Sequence, residues 1–394
     1  MKLHRTLVLA VAETLRNIFR EGMYADKAVE QALKSNVRFG SRDRKFIAEN
    51  VYGMVRWWRL ITAAAGDDED LLRLFAVWMI IRQQELPDWQ EFSEVDKAAV
   101  LSRYAELVNI RKFRESVPDW LEETGSMELG DEVWSRELHA LNEEAKVVLR
   151  VNSLKTDPAK LQRMLTEQQI ETTVIPGYED ALALSRRQNL HQLNEYRNGL
   201  FEIQDASSQL IAPFMELEQS MTVIDACAGA GGKSLHMAAM MQNKGKIISM
   251  DVEERKLLEL KKRADRGGVK IIETKTIASQ VLDKLENTAD RLLLDVPCSG
   301  LGVLRRNPDA KWKLSPEFIS GIRKTQQEII SNYSRMLRSG GIMVYATCSI
   351  LPSENQKQVE KFLEKEKEFE FISDRKIMPS EGFDGFYMAK LRRK

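Results

Sequence analysis

Three cysteines occur in the chain, and two of them close strand-like apolar runs in its C-terminal half. Cys298 follows the run 292–294 within DVPCSG, and Cys348 follows the run 342–346 within YATCS. A thiol near a carboxylate, Asp295, and a second thiol at the end of another strand offer a nucleophile and a helper in one crevice. A thiolate attacks carbon even when only partly ionised, and a nearby Lys, Arg or helix N-terminus increases the ionised fraction. A lone buried cysteine is usually a small packing residue. Two in these matched positions point to thiol chemistry, and their spacing leaves open which of them attacks. Cys227, inside a glycine turn, is read as packing.

A second constellation lies upstream. The run 223–226 carries Asp225 at its end and leads into DACAGAGGKS, where Cys227, Ala228, Gly229, Ala230, Gly231, Gly232 and Lys233 form a turn into a helix. Glycines there let the backbone approach a ligand closely and open a helix whose free N–H groups face outward. The turn matches no Walker pattern and fits the dinucleotide fingerprint only loosely. The next apolar run, however, ends in Asp251, where a doubly wound nucleotide site places a carboxylate on ribose hydroxyls. The pair suits a nucleoside with a ribose and no long phosphate tail.

The elements that must position these groups follow from periodicity. Apolar runs at 223–226, 246–250, 270–274, 291–295 and 342–347 alternate with helical patterns at 233–241, 253–267, 278–286 and 316–337. That order predicts an α/β domain, a mostly parallel doubly wound sheet covered on both faces, with ligands at the carboxyl ends of its strands. Before it, a strand at 145–154, a helix at 158–168 and strands at 172–176 and 200–204 predict a small α+β module. Residues 3–119 are helical in pattern, with helices at 2–20, 24–35, 41–64, 69–82 and 93–108 and Ser41 as an N-cap. Trp57, Trp58 and Trp78 are read as core or groove-lining residues. Pro118 marks a break. The expected organisation is an all-α domain over 1–125, a linker helix and α+β module over 126–215, and a catalytic domain over 216–394.

With 394 residues, 43 % hydrophobic and 30 % charged, the chain can build two or three cores. No apolar run reaches the roughly 20 residues of a membrane helix, and the N-terminus reads as an amphipathic helix, so a cytoplasmic protein is expected. The cysteines fit neither a disulfide framework nor a zinc spacing, so no metal is expected. Net charge is zero, but its distribution is uneven. Residues 1–60 hold twelve Lys/Arg against six Asp/Glu, 61–140 hold eight against eighteen, and 300–340 hold eight against three. Any polyanion should therefore meet the first helices or the stretch after Asp295, and the acidic 61–140 segment should not hold it.

Taken together, these motifs resemble a known family. DVPCSGLGVLRRNPDAKW, YATCS with Glu354 and Asn355 just after it, and DACAGAGGK look like the RsmB/Sun/Fmu-type RNA cytosine-5 methyltransferases. The likeness extends to LRVNSLK (149–155), QDASSQL (204–210), the closing DGFYMAKLRR, and GSRDRKFIAENVYGMVRW (40–57), which is similar to the NusB-like domain of bacterial members. The resemblance implies S-adenosyl-L-methionine over residues 227–233, with Asp251 on its ribose and Asp295 near the methyl donor and the target base. It implies that Cys348 attacks carbon 6 of cytosine, that Cys298 assists loss of the carbon 5 proton and release, and that Asp295 holds the pyrimidine edge. RNA, ribosomal in the bacterial branch, is the implied partner of a monomer, with Arg305, Arg306, Lys311 and Lys313 expected at phosphates and the base flipped out. Affinity for RNA should then fall steeply with salt. A tRNA substrate, or a catalytically silent RNA-binding or assembly role, are the competing readings.

Three details depart from the family pattern. Gly229 and Ala230 stand where Ala and Pro are usual. The acid usual after the third strand, which would meet adenine, has no counterpart: Thr276 and Ile277 are there, and Asp283 lies too far along the next helix. The acidic segment leaves the first helices and the α+β module to engage RNA.

Overall fold

The computed structural model describes residues 3–66 and 68–394. The chain separates into two compact units. One runs up to Glu143 and takes in Leu304–Pro316; the other consists of Glu144–Val303 and Glu317–Lys394.

In the helical unit, Arg5–Phe19, Ala25–Ser35, Ser41–Arg56, Trp58–Ala65, Leu71–Ile81 and Lys97–Leu107 share one core, and Asp119–Leu129 and Asp131–Asn142 follow. Apolar residues recur at helical spacing, so Leu7, Val11, Leu15, Ile47, Val51 and Met54 all face inward and are almost completely buried. Each such side chain contributes roughly 1.5–3 kcal/mol of burial. The first helix starts at Arg5; Lys2, where the sequence predicts its start, lies outside the described residues. The helix predicted over 41–64 divides at Trp57, whose backbone (φ −105°, ψ 21°) leaves the helical region. Gly40 takes the N-cap position expected of Ser41, and its N–H donates to Asp43 Oδ2 at 2.9 Å. Trp78 is buried with its indole N–H on Asn50 Oδ1 at 3.0 Å, and Trp58 stacks on Phe19 at 3.8 Å, so both serve the core.

The stretch 304–316 corrects the expectation placed on its cations. Arg305 is 4 % exposed and Lys311 2 %, so neither offers its charge to a phosphate. Arg305 Nε donates to Ala140 O at 2.5 Å and Nη2 to Glu143 Oε2 at 3.0 Å. Lys311 Nζ donates to Arg56 O at 2.8 Å, and the Trp312 indole to Val55 O at 2.7 Å. These carbonyls lie in the last turns of the helices Ser41–Arg56 and Asp131–Asn142, which carry partial negative charge. The cations are therefore spent on helix C-termini. Burial and the nearby Arg56 guanidinium push the Lys311 ammonium well below its usual pKa. Lys313 Nζ sits on Met23 O at 2.6 Å, and Asp309 Oδ2 accepts from Ala25 N at 3.0 Å at the start of the next helix. Arg306 and Lys313 are half-buried.

The other unit contains two sheets. Strands β1 (Val148–Val151), β2 (Thr172–Val174), β3 (Ala181–Leu184) and β4 (Phe201–Ile203) form an antiparallel sheet in the order β2-β3-β1-β4, with helix Pro158–Glu167 packed beside it. Strands β5 (Thr222–Asp225), β6 (Lys246–Asp251), β7 (Ile272–Thr276), β8 (Ala289–Asp295), β9 (Leu337–Thr347), β10 (Phe369–Ile377) and β11 (Phe386–Arg393) form a second, in the order β10-β11-β9-β8-β5-β6-β7. From β9 to β7 all pairings are parallel, and β11 pairs antiparallel with both β9 and β10. Helices Gly232–Met240 and Glu254–Gly267 pack on one face with Val223, Ile247 and Val344. Ser279–Lys284, Pro316–Tyr333 and Gln356–Lys365 cover the other with Ile224, Leu292 and Met343. This is the doubly wound α/β arrangement read from the sequence. The carboxyl ends of β5, β6, β8 and β9 deliver Asp225, Asp251, Asp295 and Thr347–Cys348 to one edge of the sheet, because parallel strands in register end together.

Candidate active site

The glycine turn after β5 is held from behind. Ala228 N donates to Met250 O at 2.8 Å and Gly229 N to Asp251 Oδ2 at 2.8 Å, which ties the turn to the end of β6. Gly231 adopts φ 82°, and a Cβ there would lie 2.3 Å from Leu260 Cγ, so the turn closes only with glycine. Its carbonyls are taken by two arginines. Arg263 Nη1 donates to Ala230 O at 2.7 Å, while buried Arg150 donates to Gly232 O and, at 2.6 Å, to Gln204 Oε1. Glu202 in β4 receives both Arg263 and Arg266, at 2.9 and 2.6 Å. Asn152 adds bonds of 2.8 Å to Gly199 O and Gly267 O. The α+β module, which the sequence points toward RNA, thus braces the turn through residues of LRVNSLK and QDASSQL.

In front of the turn is a cavity of about 520 Å³ lined by Cys227, Gly229, Asp251, Lys256, Asp295 and Pro297, with apolar Val252, Ile277, Ile329 and Tyr333 toward β7 and helix Pro316–Tyr333. Its size is that of a nucleoside-sized ligand site. Asp251, Glu253, Asp295 and Glu328 outnumber Lys256 on its walls, and these carboxylates with the apolar side chains fit a ligand that bears positive charge and a flat ring. The residues present therefore fit S-adenosylmethionine, which carries a sulfonium and an ammonium group. Ala228, Ala230, Gly231 and Gly232 shape the turn. Lys233 instead points its ammonium at Asp295 Oδ2, 2.5 Å away. Burial alone would lower the Lys233 pKa, but Asp295 and then Cys348 outweigh it, and the net direction is upward. Cys227 is ringed by carboxylates: burial first, then Asp295, Asp225 and Asp251, push its thiol far up, which suits packing and not attack. Asp283 is paired with Arg335 at 2.6 Å.

Cys298 and Cys348 stand with their sulfurs 3.3 Å apart. Their loops are locked by a buried carboxylate that only the structure reveals as central. Both Glu354 oxygens accept from Ser299 N at 3.1 Å, and Oε2 also accepts from Ser299 Oγ at 2.7 Å. Asn355 accepts from Thr347 Oγ1 at 2.5 Å and donates to Ser349 O at 2.9 Å. Gly302 N donates to Cys348 O at 2.9 Å, and a Cβ on Gly302 would meet Gly385 O at 2.2 Å. The two thiols differ in surroundings. The hydrogen bond to Cys348, then burial, and more distantly Glu354, push the Cys298 thiol well up. Cys348 has the Lys233 ammonium as its electrostatic neighbour.

Asp225 is completely buried under the turn, and desolvation, opposed by a 2.6 Å hydrogen bond from Ser234 Oγ, lifts its pKa to about 7. The folded value exceeds the unfolded one of about 3.9, so the native protein keeps a proton that the unfolded chain has already released. The linked stability is complete below about pH 4 and is lost as pH rises through about 7. Its ceiling is about 4 kcal/mol, three pKa units at 1.36 kcal/mol each. Asp225→Asn is expected to melt higher than the unsubstituted protein by a margin that grows between about pH 5 and pH 8. A pH-independent difference in Tm contradicts this.

Comparison with known proteins accords with this geometry. Residues 212–392 match the family described as 16S rRNA methyltransferase RsmB/F, and residues 117–191 match its ferredoxin-like domain. A Synechocystis sp. protein described as a probable ribosomal RNA small subunit methyltransferase B is 30 % identical over 441 aligned positions, covering 96 % of this chain and 97 % of that one. A Bacillus subtilis protein of the same description is 33 % identical over 301 positions, 71 % of this chain and 67 % of its own. In fold, the crystal structure of PH0851 superposes over 100 % of both chains at a TM-score of 0.84 and 22 % identity. NSun6 from Pyrococcus horikoshii with SFG, an S-adenosylmethionine analogue, covers 71 % of this chain and 99 % of its own at a TM-score of 0.66 and 21 % identity. With full-length similarity at 30 % identity and the family match over the doubly wound domain, the chain belongs to the RsmB/F family of S-adenosylmethionine-dependent methyltransferases.

Proposed function

We propose that the protein methylates carbon 5 of a cytidine in 16S ribosomal RNA through a covalent bond between Cys348 and carbon 6 of the base. The observation that carries this is the paired thiols at 3.3 Å beside the Lys233–Asp295 pair. Bound S-adenosylmethionine supplies an electrophilic methyl group. Cys348 attacks as thiolate, with the Lys233 ammonium as its electrostatic neighbour. The Sγ–C6 bond forms and electron density moves to carbon 5 and the carbonyl edge of the ring, where the Lys233 ammonium offsets it while Asp295 accepts a hydrogen bond from the amino edge of the base. After carbon 5 has gained its methyl group, its proton leaves toward Cys298. The Sγ–C6 bond then breaks, and the electron pair returns to Cys348. Cys298, whose sulfur stands 3.3 Å from that of Cys348, is placed to assist removal of that proton and release of the base. With Arg305 and Lys311 withdrawn into the helical unit, exposed Arg38, in the turn before helix Ser41–Arg56, and Arg42 and Lys45 in that helix become the cations for RNA phosphates.

Incubation with isotopically labelled S-adenosylmethionine and unmodified 16S RNA, followed by nucleoside analysis, is expected to yield 5-methylcytidine. Label in another nucleoside, or none in any RNA, overturns the reading.

A further inference from the structure

The cavity before the glycine turn has a reactive end and a base end. Asp295 and Pro297 wall the first. Asp251, closing β6, is the carboxylate placed for ribose hydroxyls. A nucleoside held at Asp251 with its reactive group toward Asp295 sends its base outward to β7, the edge strand of the parallel run. No carboxylate or carboxamide stands where β7 ends: Thr276 is followed by Ile277, which lines the cavity, and Ala278. Val252, Ile277, Ile329 and Tyr333 supply apolar walls, and these grip any purine alike. Apart from Glu253, which follows β6 beside the ribose carboxylate, the polar groups that could tell one purine from another come from the opposite wall. Helix Pro316–Tyr333 presents Thr325, Glu328, Ile329 and Asn332 to the cavity, a spacing of i, i+3, i+4 and i+7 that marks one helix face.

We infer that Asn332 is the residue that recognises the 6-amino edge of the adenine ring, in place of an acid after β7. The inference rests on the placement of S-adenosylmethionine in this cavity. Adenine shows a donor, its 6-amino group, beside a ring-nitrogen acceptor. A carboxamide carries the matching acceptor and donor and pairs with both at once. Glu328, one turn earlier on the same face, is acceptor-only when ionised and meets the ring nitrogen with repulsion. Asn332 is solvent-exposed, and among the described residues its carboxamide has no hydrogen-bond partner, so nothing in the fold competes for it.

Calorimetric titration with S-adenosylhomocysteine and with its purine-riboside counterpart, which lacks the 6-amino group, tests the assignment. The unsubstituted protein is expected to prefer the adenine ligand by about tenfold, the scale of a lost hydrogen bond with its partner left unpaired. In Asn332→Ala the adenine ligand should weaken by about that factor and the preference should collapse toward unity. A merely structural role would weaken both ligands together and keep the ratio. Asp251→Ala is expected to weaken both while keeping the preference, as is fitting for a ribose contact. If Asn332→Ala retains the preference, or if it vanishes in Glu328→Ala instead, the assignment is wrong. If Asp251→Ala leaves both affinities unchanged, the placement itself fails and takes the inference with it.

Discussion

Replacing Cys348 by alanine is expected to reduce methyl transfer by about 10⁴-fold or more, to background, because removal of a covalent nucleophile deletes the pathway and not one contact of it. Affinity for S-adenosylhomocysteine should stay within about twofold, since Cys348 is not among the residues that wall the cavity. Cys348→Ser is expected to fare no better, because a serine hydroxyl is a far weaker acid and a poorer nucleophile toward carbon than a cysteine thiol. Cys298→Ala should lose turnover by a different route, with attack intact and release blocked. Steady-state rates alone cannot separate the two variants, whereas trapped RNA can.

The second large effect is expected at Glu354, which touches neither base nor methyl donor. Its buried carboxylate takes three hydrogen bonds from Ser299 and so fixes the loop of Cys298 against the segment that follows Cys348. Glu354→Ala would leave the Ser299 N–H and hydroxyl with a buried void in place of an acceptor. Loss of a buried charged acceptor costs about 2–4 kcal/mol, on the order of 5–10 °C in Tm for a unit of this size. Displacement of the thiols from attack geometry by a fraction of an ångström should reduce the rate about 10²-fold even where the protein is folded. Glu354→Gln, which keeps one oxygen acceptor, is expected to recover part of both. Thermal melts and single-turnover rates at a temperature well below the transition check this. An alanine variant with unaltered single-turnover rate contradicts the positioning role.

The parallel core was legible because strands buried on both faces read as unbroken apolar runs, and because their ends carry Asp225, Asp251, Asp295 and Cys348, residues with no packing reason to recur there. Other elements were hidden by their environments. Strand β10 lies at the sheet edge with most of its residues partly or fully exposed, so FEFISDRKI lacks the apolar run of its neighbours. Four residues, Ala181–Leu184, make up β3, buried throughout, too short for any period to declare itself. The cations Arg305 and Lys311 mislead in the opposite direction. A basic cluster ordinarily means solvent or phosphate, and only the folded helices show that their C-terminal carbonyls supply the missing negative charge. Arg150 and Glu354 were quoted in motifs, yet their work is to hold backbone far away in sequence, which spacing does not reveal.

The covalent step is tested most directly by intact-protein mass spectrometry of Cys298→Ala incubated with unmodified 16S RNA and S-adenosylmethionine, then nuclease-treated. A nucleotide-bearing protein mass is expected, mapped to the peptide containing Cys348 and lost when Cys348→Ala is added. Adduct mapped to Cys298 in the Cys348→Ala protein, or product formed by that protein without any adduct, contradicts the assignment.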